Sequence, residues 1–204
     1  SAASDVYKRQ IINGDFGVWQ RGTSFAFTAT QAGYTADRFS AYVGNTGAGT
    51  ISQQAFTVGT APVAGYESKY FLRFNQTTGA GNSPSLVQNI EGVRTFAGQT
   101  INLSFWAKGS SAFSIGIGAN QYFGTGGSPS ALVGNSFISP TISTSWTRYS
   151  YSITLPSIAG KTLGTNGDDY LQVYFSLPAS ATFTFDVWGV QLESGSVATP
   201  FTTA

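Results

Sequence analysis

The chain has 204 residues and a net charge of +1, with 41% hydrophobic, 15% aromatic and only 9% charged residues. This length allows one all-β sandwich with a full core, and so many aromatic residues argue against a disordered chain. The sequence contains no Cys and no His, which excludes disulfides, a cysteine zinc site, and Ser-His-Asp or Cys-His catalysis.

Residues 1–10 (SAASDVYKRQ) have no apolar core and therefore do not resemble a signal peptide. We interpret them as a flexible or non-native leader, followed by one domain over residues 11–204. Basic residues are scattered along the chain, so no nucleic-acid partner is predicted. No apolar run approaches the ~18 residues of a membrane span, so no membrane insertion is expected.

Strand patterns fill the first half of the domain. An extended segment is predicted over 11–19. Residues 37–43 alternate in polarity and predict a strand, with 50–56 as its potential partner. Further strands are predicted over 70–76 and 85–90.

The second half shows clearer alternation, with predicted strands over 101–108, 113–119, 146–155, 170–177 and 182–193. A segment rich in Gly, Ser and Pro (124–134) separates two of them and is interpreted as a mobile loop. About ten strands with frequent turn signals predict a single antiparallel, all-β sandwich of two sheets.

The non-core face of three strands carries the candidate binding residues. If these strands were neighbours, aromatic rings would border a floor formed by Gly116 and Gly118. Sugar rings stack on aromatic faces, while amide and amine groups bind hydroxyls. The alternative is that this face packs internally or is buried by a second copy of the chain. The six candidates are Trp106, Lys108, Asn120, Tyr170, Gln172 and Tyr174.

No pair of carboxylates suggests catalysis. A glycosidase needs two of them about 5–10 Å apart across a cleft. Asp168 and Asp169 are adjacent, and neighbours in an extended segment point to opposite faces. We therefore expect no enzymatic activity.

The sequence resembles two known groups. From residue 85 onward, segments such as INLSFWAKG, YLQVYFSL and FTFDVWGVQLE look like the jelly-roll carbohydrate-binding modules of families 4, 9 and 22. The segments NGDFGVWQRGTSF, YTADRFS and VQLESGSVATPF resemble the C-terminal domains of bacteriophage tail-fibre and minor structural proteins. The first resemblance implies a two-sheet jelly roll that binds polysaccharide, often with a structural calcium. The second implies a domain on the virion surface.

The calcium site of those modules is not preserved in this sequence. Aligned on Leu192 and Glu193, the usual Asp-Asp pair falls on Trp188 and Gly189. Asp15 and Asp186 are the weak candidates that remain for a metal.

The sequence thus predicts a non-catalytic carbohydrate-binding domain of an extracellular phage virion, most simply a tail-fibre adhesin. Its partners would be host cell-surface polysaccharide and other virion structural proteins. A purely structural domain, with the aromatic face as the interface of a homo-oligomer such as a trimer, is the alternative.

Overall fold

The computed structural model describes residues 10–29 and 32–202, so all of the predicted leader except Gln10 lies outside the described residues. Within these ranges the chain forms fourteen strands and no helix. The strands are β1 (Ser24–Thr28), β2 (Ala32–Tyr34), β3 (Phe39–Tyr42), β4 (Ala48–Ala55), β5 (Tyr70–Thr78), β6 (Ser85–Glu91), β7 (Thr100–Gly109), β8 (Phe113–Ser114), β9 (Gly116–Tyr122), β10 (Val133–Ile138), β11 (Thr141–Ile142), β12 (Thr147–Thr154), β13 (Tyr170–Ser176) and β14 (Phe183–Ser194).

The strands form two six-stranded antiparallel sheets that pack face to face. Sheet 1 has the order β1-β4-β5-β14-β7-β12, and sheet 2 has the order β10-β9-β13-β6-β3-β2. A short third ladder joins β8 to β11. The predicted all-β jelly-roll sandwich is therefore confirmed. The described part of the chain has no helix long and apolar enough to cross a membrane.

The core lies between the sheets and follows the two-residue period of the strands. In β13, Leu171, Val173 and Phe175 are buried, whereas the residues between them are partly exposed. Phe175 packs edge-on against Phe105 of sheet 1, with ring centroids 5.0 Å apart. Burial of this large apolar surface is the main force that joins the sheets.

Two predictions about the first half of the domain were wrong. Strand β4 pairs with β1 and β5 in sheet 1, whereas β3 belongs to sheet 2. Alternation shows which side of a strand is apolar but not which strand lies beside it, so this pairing was not accessible. Residues 11–19 form no strand, because 12–15 are bends and turns and Asn13 (60°) and Phe16 (54°) have left-handed φ angles.

The same N-terminal segment is attached to the sandwich by side-chain hydrogen bonds. Asn13 Nδ2 donates to the carbonyl oxygens of Val18 (2.9 Å) and Asp37 (3.1 Å). Asp37 Oδ1 accepts from the backbone N–H of Gln20 at 3.0 Å. The backbone N–H of Val190 in β14 donates to Gly14 O at 3.0 Å. The NGDF and YTADRF motifs therefore have a structural role, since their hydrogen bonds attach the N-terminal segment to the sandwich.

The C-terminal residues 196–202 lie against the outer face of sheet 1. Glu193, which is buried, accepts from the backbone N–H of Thr199 (3.0 Å) and from its hydroxyl (2.5 Å). The Phe201 ring lies 4.6 Å from that of Trp188. Residues 56–69 cover the same area, since Tyr66 also contacts the Trp188 ring at 5.7 Å. We call the area beneath these two segments the covered face.

Candidate functional site

Four of the six predicted binding residues lie together on the outer face of sheet 2, which we call the open face. Strands β9 and β13 are hydrogen-bonded neighbours, and Gln172 is aligned with Asn120 while Tyr174 is aligned with Gly118. Strand β6 flanks β13 on its other side. Outward-facing residues of these three strands are partly buried or exposed, except Gly118, which is buried.

Tyr174 lies across the sheet over Gly118. A Cβ atom built on Gly118 would lie 2.5 Å from Tyr174 Cζ and 2.5 Å from the backbone oxygen of Asn135 on β10, so any side chain at this position would displace the ring and the neighbouring strand. The Tyr174 hydroxyl reaches Ser136 of β10, with the two oxygens 3.4 Å apart. The ring therefore spans β9, and its upper side forms a platform on which a sugar ring could stack.

A row of three amide side chains crosses the centre of the open face. Asn120 Nδ2 donates to Gln172 Oε1 at 3.2 Å, and Gln172 Nε2 donates to Asn89 Oδ1 at 3.1 Å. Each amide has a donor and an acceptor group, and these bonds use only part of that capacity. The remaining groups are available to pair with hydroxyls.

Two tyrosines stand at the far end of β9 and β13 from Tyr174. The rings of Tyr122 and Tyr170 are stacked, with centroids 4.6 Å apart. Partial burial, followed by the nearby Tyr122 and Asp168, raises the pKa of Tyr170 above its ordinary value near 10. Its hydroxyl therefore stays protonated at neutral pH and remains able to donate a hydrogen bond.

Hydrogen bonds connect the loop that begins at Gly124, next to these tyrosines, to residues 166–168. Asp168 accepts from the backbone N–H of Thr125 (2.7 Å) and from its hydroxyl (2.6 Å). Asn166 Nδ2 adds a bond to the Thr125 hydroxyl at 2.8 Å. The hydrogen bonds from Thr125 lower the pKa of Asp168. These contacts, and bonds between Ser130 and Thr162, join the 124–134 segment to residues 162–168, and its last two residues belong to β10.

The other two predicted binding residues lie on the opposite side of the sandwich, because β7 belongs to sheet 1. Trp106 is aligned with Trp188 and Arg148 on the outer face of that sheet. Its indole Nε1 is buried and makes no hydrogen bond with any residue that the structure describes. The predicted grouping of Trp106 and Lys108 with the other four residues is therefore wrong.

Lys108 forms part of a charged group in sheet 1. Arg73 donates from Nε and Nη2 to the two carboxylate oxygens of Asp186, both at 2.7 Å. The Lys108 Nζ lies 3.7 Å from Asp186 Oδ2. The hydrogen bond to Asp186 raises the pKa of Arg73.

The residues proposed for a calcium site do not fit one. Asp186 is occupied by two cationic side chains, which would repel a metal ion. Asp15 makes a long bond of 3.4 Å with the backbone N–H of Gly17. Calcium prefers six to eight oxygen ligands, and the described ranges contain no cluster of three or more acidic, His or Cys side chains suited to a metal.

Asp168 and Asp169 do not converge on one cleft. Asp168 binds Thr125, whereas Asp169 Oδ2 accepts from the backbone N–H of Val93 at 2.7 Å. Both carboxylates hold loops in place, and they point to different partners, as the extended-chain argument predicts.

Sequence analysis missed two residues of the open face, Tyr122 and Asn89. Tyr122 continues the alternation of Gly118 and Asn120 by one further step, so the predicted strand ended too early. Asn89 lies on β6, which the alternation predicted as a strand but could not place beside β13.

Comparison of sequences finds no family profile that matches the chain and no similar curated protein. Comparison of structures does find similar folds. The N-terminal cellulose-binding domain of a β-1,4-glucanase from Cellulomonas fimi has a TM-score of 0.52 at 14% identity, covering 92% of this chain and 99% of that one. A family 22 carbohydrate-binding module from Clostridium thermocellum is also among the similar structures.

Proteins described as enzymes share the fold as well. A cyclase from Fischerella sp. TAU has a TM-score of 0.54 at 10% identity, covering 94% of this chain and 99% of that one. The enzymatically active domain of tailspike protein 4 from bacteriophage CBA120 has a TM-score of 0.50 at 12% identity, covering 93% of this chain but 22% of that one. At such low identities the similarity shows the fold alone, and function has to be argued from the site.

Proposed function

We propose that this protein is a non-catalytic carbohydrate-binding domain whose ligand lies on the open face. The observation that carries this proposal is the Tyr174 ring spread over Gly118, next to the amide row. An exposed aromatic face and adjacent polar groups are the two elements that a hydroxyl-rich ring needs. The carbohydrate-binding modules of similar fold support the same function.

Each group on the open face has a distinct role. Tyr174 stacks against the C–H side of one sugar ring. Asn120, Gln172 and Asn89 exchange hydrogen bonds with hydroxyls, and Tyr170 donates from a hydroxyl that stays protonated. The amide row and its flanking tyrosines are uncharged, and the carboxylate aligned with Tyr170, that of Glu91, lies 3.9 Å from Arg38. This site therefore selects a neutral stretch of glycan.

The biological setting that we propose is a phage virion, with the domain as a tail-fibre adhesin for host surface polysaccharide. The tail-fibre motifs in the sequence and the tailspike of similar fold support it. Each shallow site binds weakly, and several copies on one particle raise the avidity through effective concentration.

The test is a glycan and bacterial polysaccharide array probed with multivalently displayed protein. Wild type should bind a neutral glycan, and free sugar should compete. Tyr174→Ala and Gln172→Ala should each weaken binding about tenfold, because a stacked ring and a bridging amide are worth about 1–1.5 kcal/mol each. Tyr34→Ala is the matched control, since Tyr34 is an exposed tyrosine on the edge strand β2 of the same sheet.

Two results would contradict the proposal. The first is equal binding by Tyr174→Ala, Gln172→Ala and the Tyr34→Ala control. The second is no binding across the panel together with a stable oligomer in light scattering that Tyr174→Ala dissociates. That result would identify the open face as a subunit interface.

A further inference from the structure

The outer face of sheet 1 carries a charged group that the proposed glycan site does not use. Asp186 of β14 is aligned with Arg73 of β5 on one side and with Lys108 of β7 on the other. Charged residues are rare in this chain, at ten Lys and Arg and nine Asp and Glu. A row of three charged side chains across neighbouring strands is therefore unusual for this protein and is a candidate for a separate binding site.

The row presents positive charge to solvent. The Asp186 side chain is only 2% exposed, whereas Arg73 is 33% and Lys108 is 32% exposed. Two cations above one buried carboxylate leave a net charge of +1. The guanidinium uses Nε and Nη2 on Asp186, and among the described residues Nη1 and most of the ammonium donors have no hydrogen-bond partner.

Aromatic rings hold both cations in place. The Arg73 guanidinium carbon lies 5.8 Å from the Phe71 ring centre, and Lys108 Nζ lies 5.4 Å from that of Trp146. Trp146 in turn packs against Phe71 at 5.3 Å and against Phe56 at 5.4 Å. Such contacts fix the cations before a ligand arrives, which reduces the entropy lost on binding.

We propose that Arg73 and Lys108 form a second binding site, which takes the carboxylate of an acidic sugar in a polysaccharide. A ligand carboxylate can accept from Nη1 of Arg73 and from the Lys108 ammonium, since the Nε–Nη2 edge of the guanidinium already binds Asp186. The partly exposed Trp146 ring can contact the sugar that carries this carboxylate. The bidentate pair with Arg73 already neutralises the Asp186 carboxylate, so Lys108, whose ammonium pairs with the same carboxylate at 3.7 Å, leaves an excess positive charge that a ligand carboxylate would neutralise. This site goes beyond the proposed function, because it lies on the opposite face.

The experiment measures calorimetric binding of a trigalacturonate and of its methyl ester, which has the same sugars without the charge. Wild type should bind the acid and not the ester, and 0.5 M salt should abolish that binding, since the Debye length falls to about 4 Å. Lys108→Gln should weaken binding of the acid about fivefold. Lys161→Gln is the matched control, because Lys161 is also exposed and also lies over an aromatic ring, that of Phe123.

The two proposals fail independently. Tyr174→Ala should leave binding of the acid unchanged, and Lys108→Gln should leave binding of the neutral glycan unchanged. Equal affinity of wild type and Lys108→Gln for the acid would overturn this site, as would equal binding of the ester. Tighter, Lys108-dependent binding of dextran sulfate would overturn the carboxylate assignment in favour of a sulfate ester. If Lys108→Gln does not fold, salt-independent binding of the acid by wild type overturns the site as well.

Discussion

The two outer faces of the sandwich differ in what lies over them. The covered face is buried under residues 56–69 and 196–202, so Trp188, Gln191 and Glu193 have become a second core. None of the segments that the structure describes covers the amide row and tyrosines of the open face, which keep partial exposure. The same alternating strand pattern therefore produces a packed layer on one side and an accessible surface on the other.

The covered face should respond most strongly to truncation. Trp188→Ala removes a fully buried ring that contacts Phe56, Tyr66 and Phe201. We expect a loss of about 3–5 kcal/mol in the free energy of unfolding, measured by urea denaturation. Tyr34→Ala, at an exposed edge, should change it by at most about 0.5 kcal/mol. Similar losses of unfolding free energy in Trp188→Ala and Tyr34→Ala would contradict the conclusion that one face is packed and the other is accessible.

The cover itself can be loosened through Glu193. Glu193→Gln replaces a carboxylate that accepts two bonds from Thr199 and one from Gln191 Nε2. Leaving buried donors unpaired costs about 1–3 kcal/mol, and amide exchange should accelerate in residues 196–202. Glu91→Gln is the control, because its side chain is 96% exposed. Unchanged exchange in Glu193→Gln would mean that the carboxylate does not hold the cover.

The open face can be altered with a single methyl group. The added Cβ would lie 2.5 Å from Tyr174 Cζ and 2.5 Å from the backbone oxygen of Asn135 on β10. Gly118→Ala should therefore displace the Tyr174 ring together with the β9–β10 pairing beneath it, and should weaken neutral-glycan binding about tenfold or more, since the loss of one stacking contact alone is worth about 1–1.5 kcal/mol. Gly116→Ala is its control, since a Cβ there meets Ser176 Cβ at an ordinary 3.4 Å. Retained affinity in Gly118→Ala would mean that the platform does not contact the ligand.

The smallest effect is expected at the loop beside Tyr170. Because hydrogen bonds from Thr125 lower the pKa of Asp168 below its ordinary 3.8, the folded state favours the ionised form. Its contribution to loop stability is present above the unfolded pKa and is lost as pH falls through the folded value. The Thr125 amide resonance should titrate with a midpoint below 3.8 and should not titrate in Asp168→Asn. A midpoint at or above 3.8 contradicts the contact.

The sequence allowed the fold class and the inward side of each long strand to be predicted, because alternation directly reports which residues avoid water. It did not reveal which strands are neighbours. For this reason Trp106 and Lys108, which lie on sheet 1, were grouped with four residues of sheet 2. It also did not reveal the covers. Residues 56–69 reach Trp188 from a distant part of the chain, and residues 196–202 fold back on the strand that they follow, so neither cover shows in the alternation of the strands.

The amide row also has a direction. Each bond in it points the same way, from Asn120 to Gln172 and from Gln172 to Asn89. The row therefore ends in the acceptor Oδ1 of Asn120 on β9 and in the donor Nδ2 of Asn89 on β6. A saccharide laid across the strands would meet an acceptor at one end of the row and a donor at the other, so the glycan site that we propose would distinguish the reducing from the non-reducing direction of a chain.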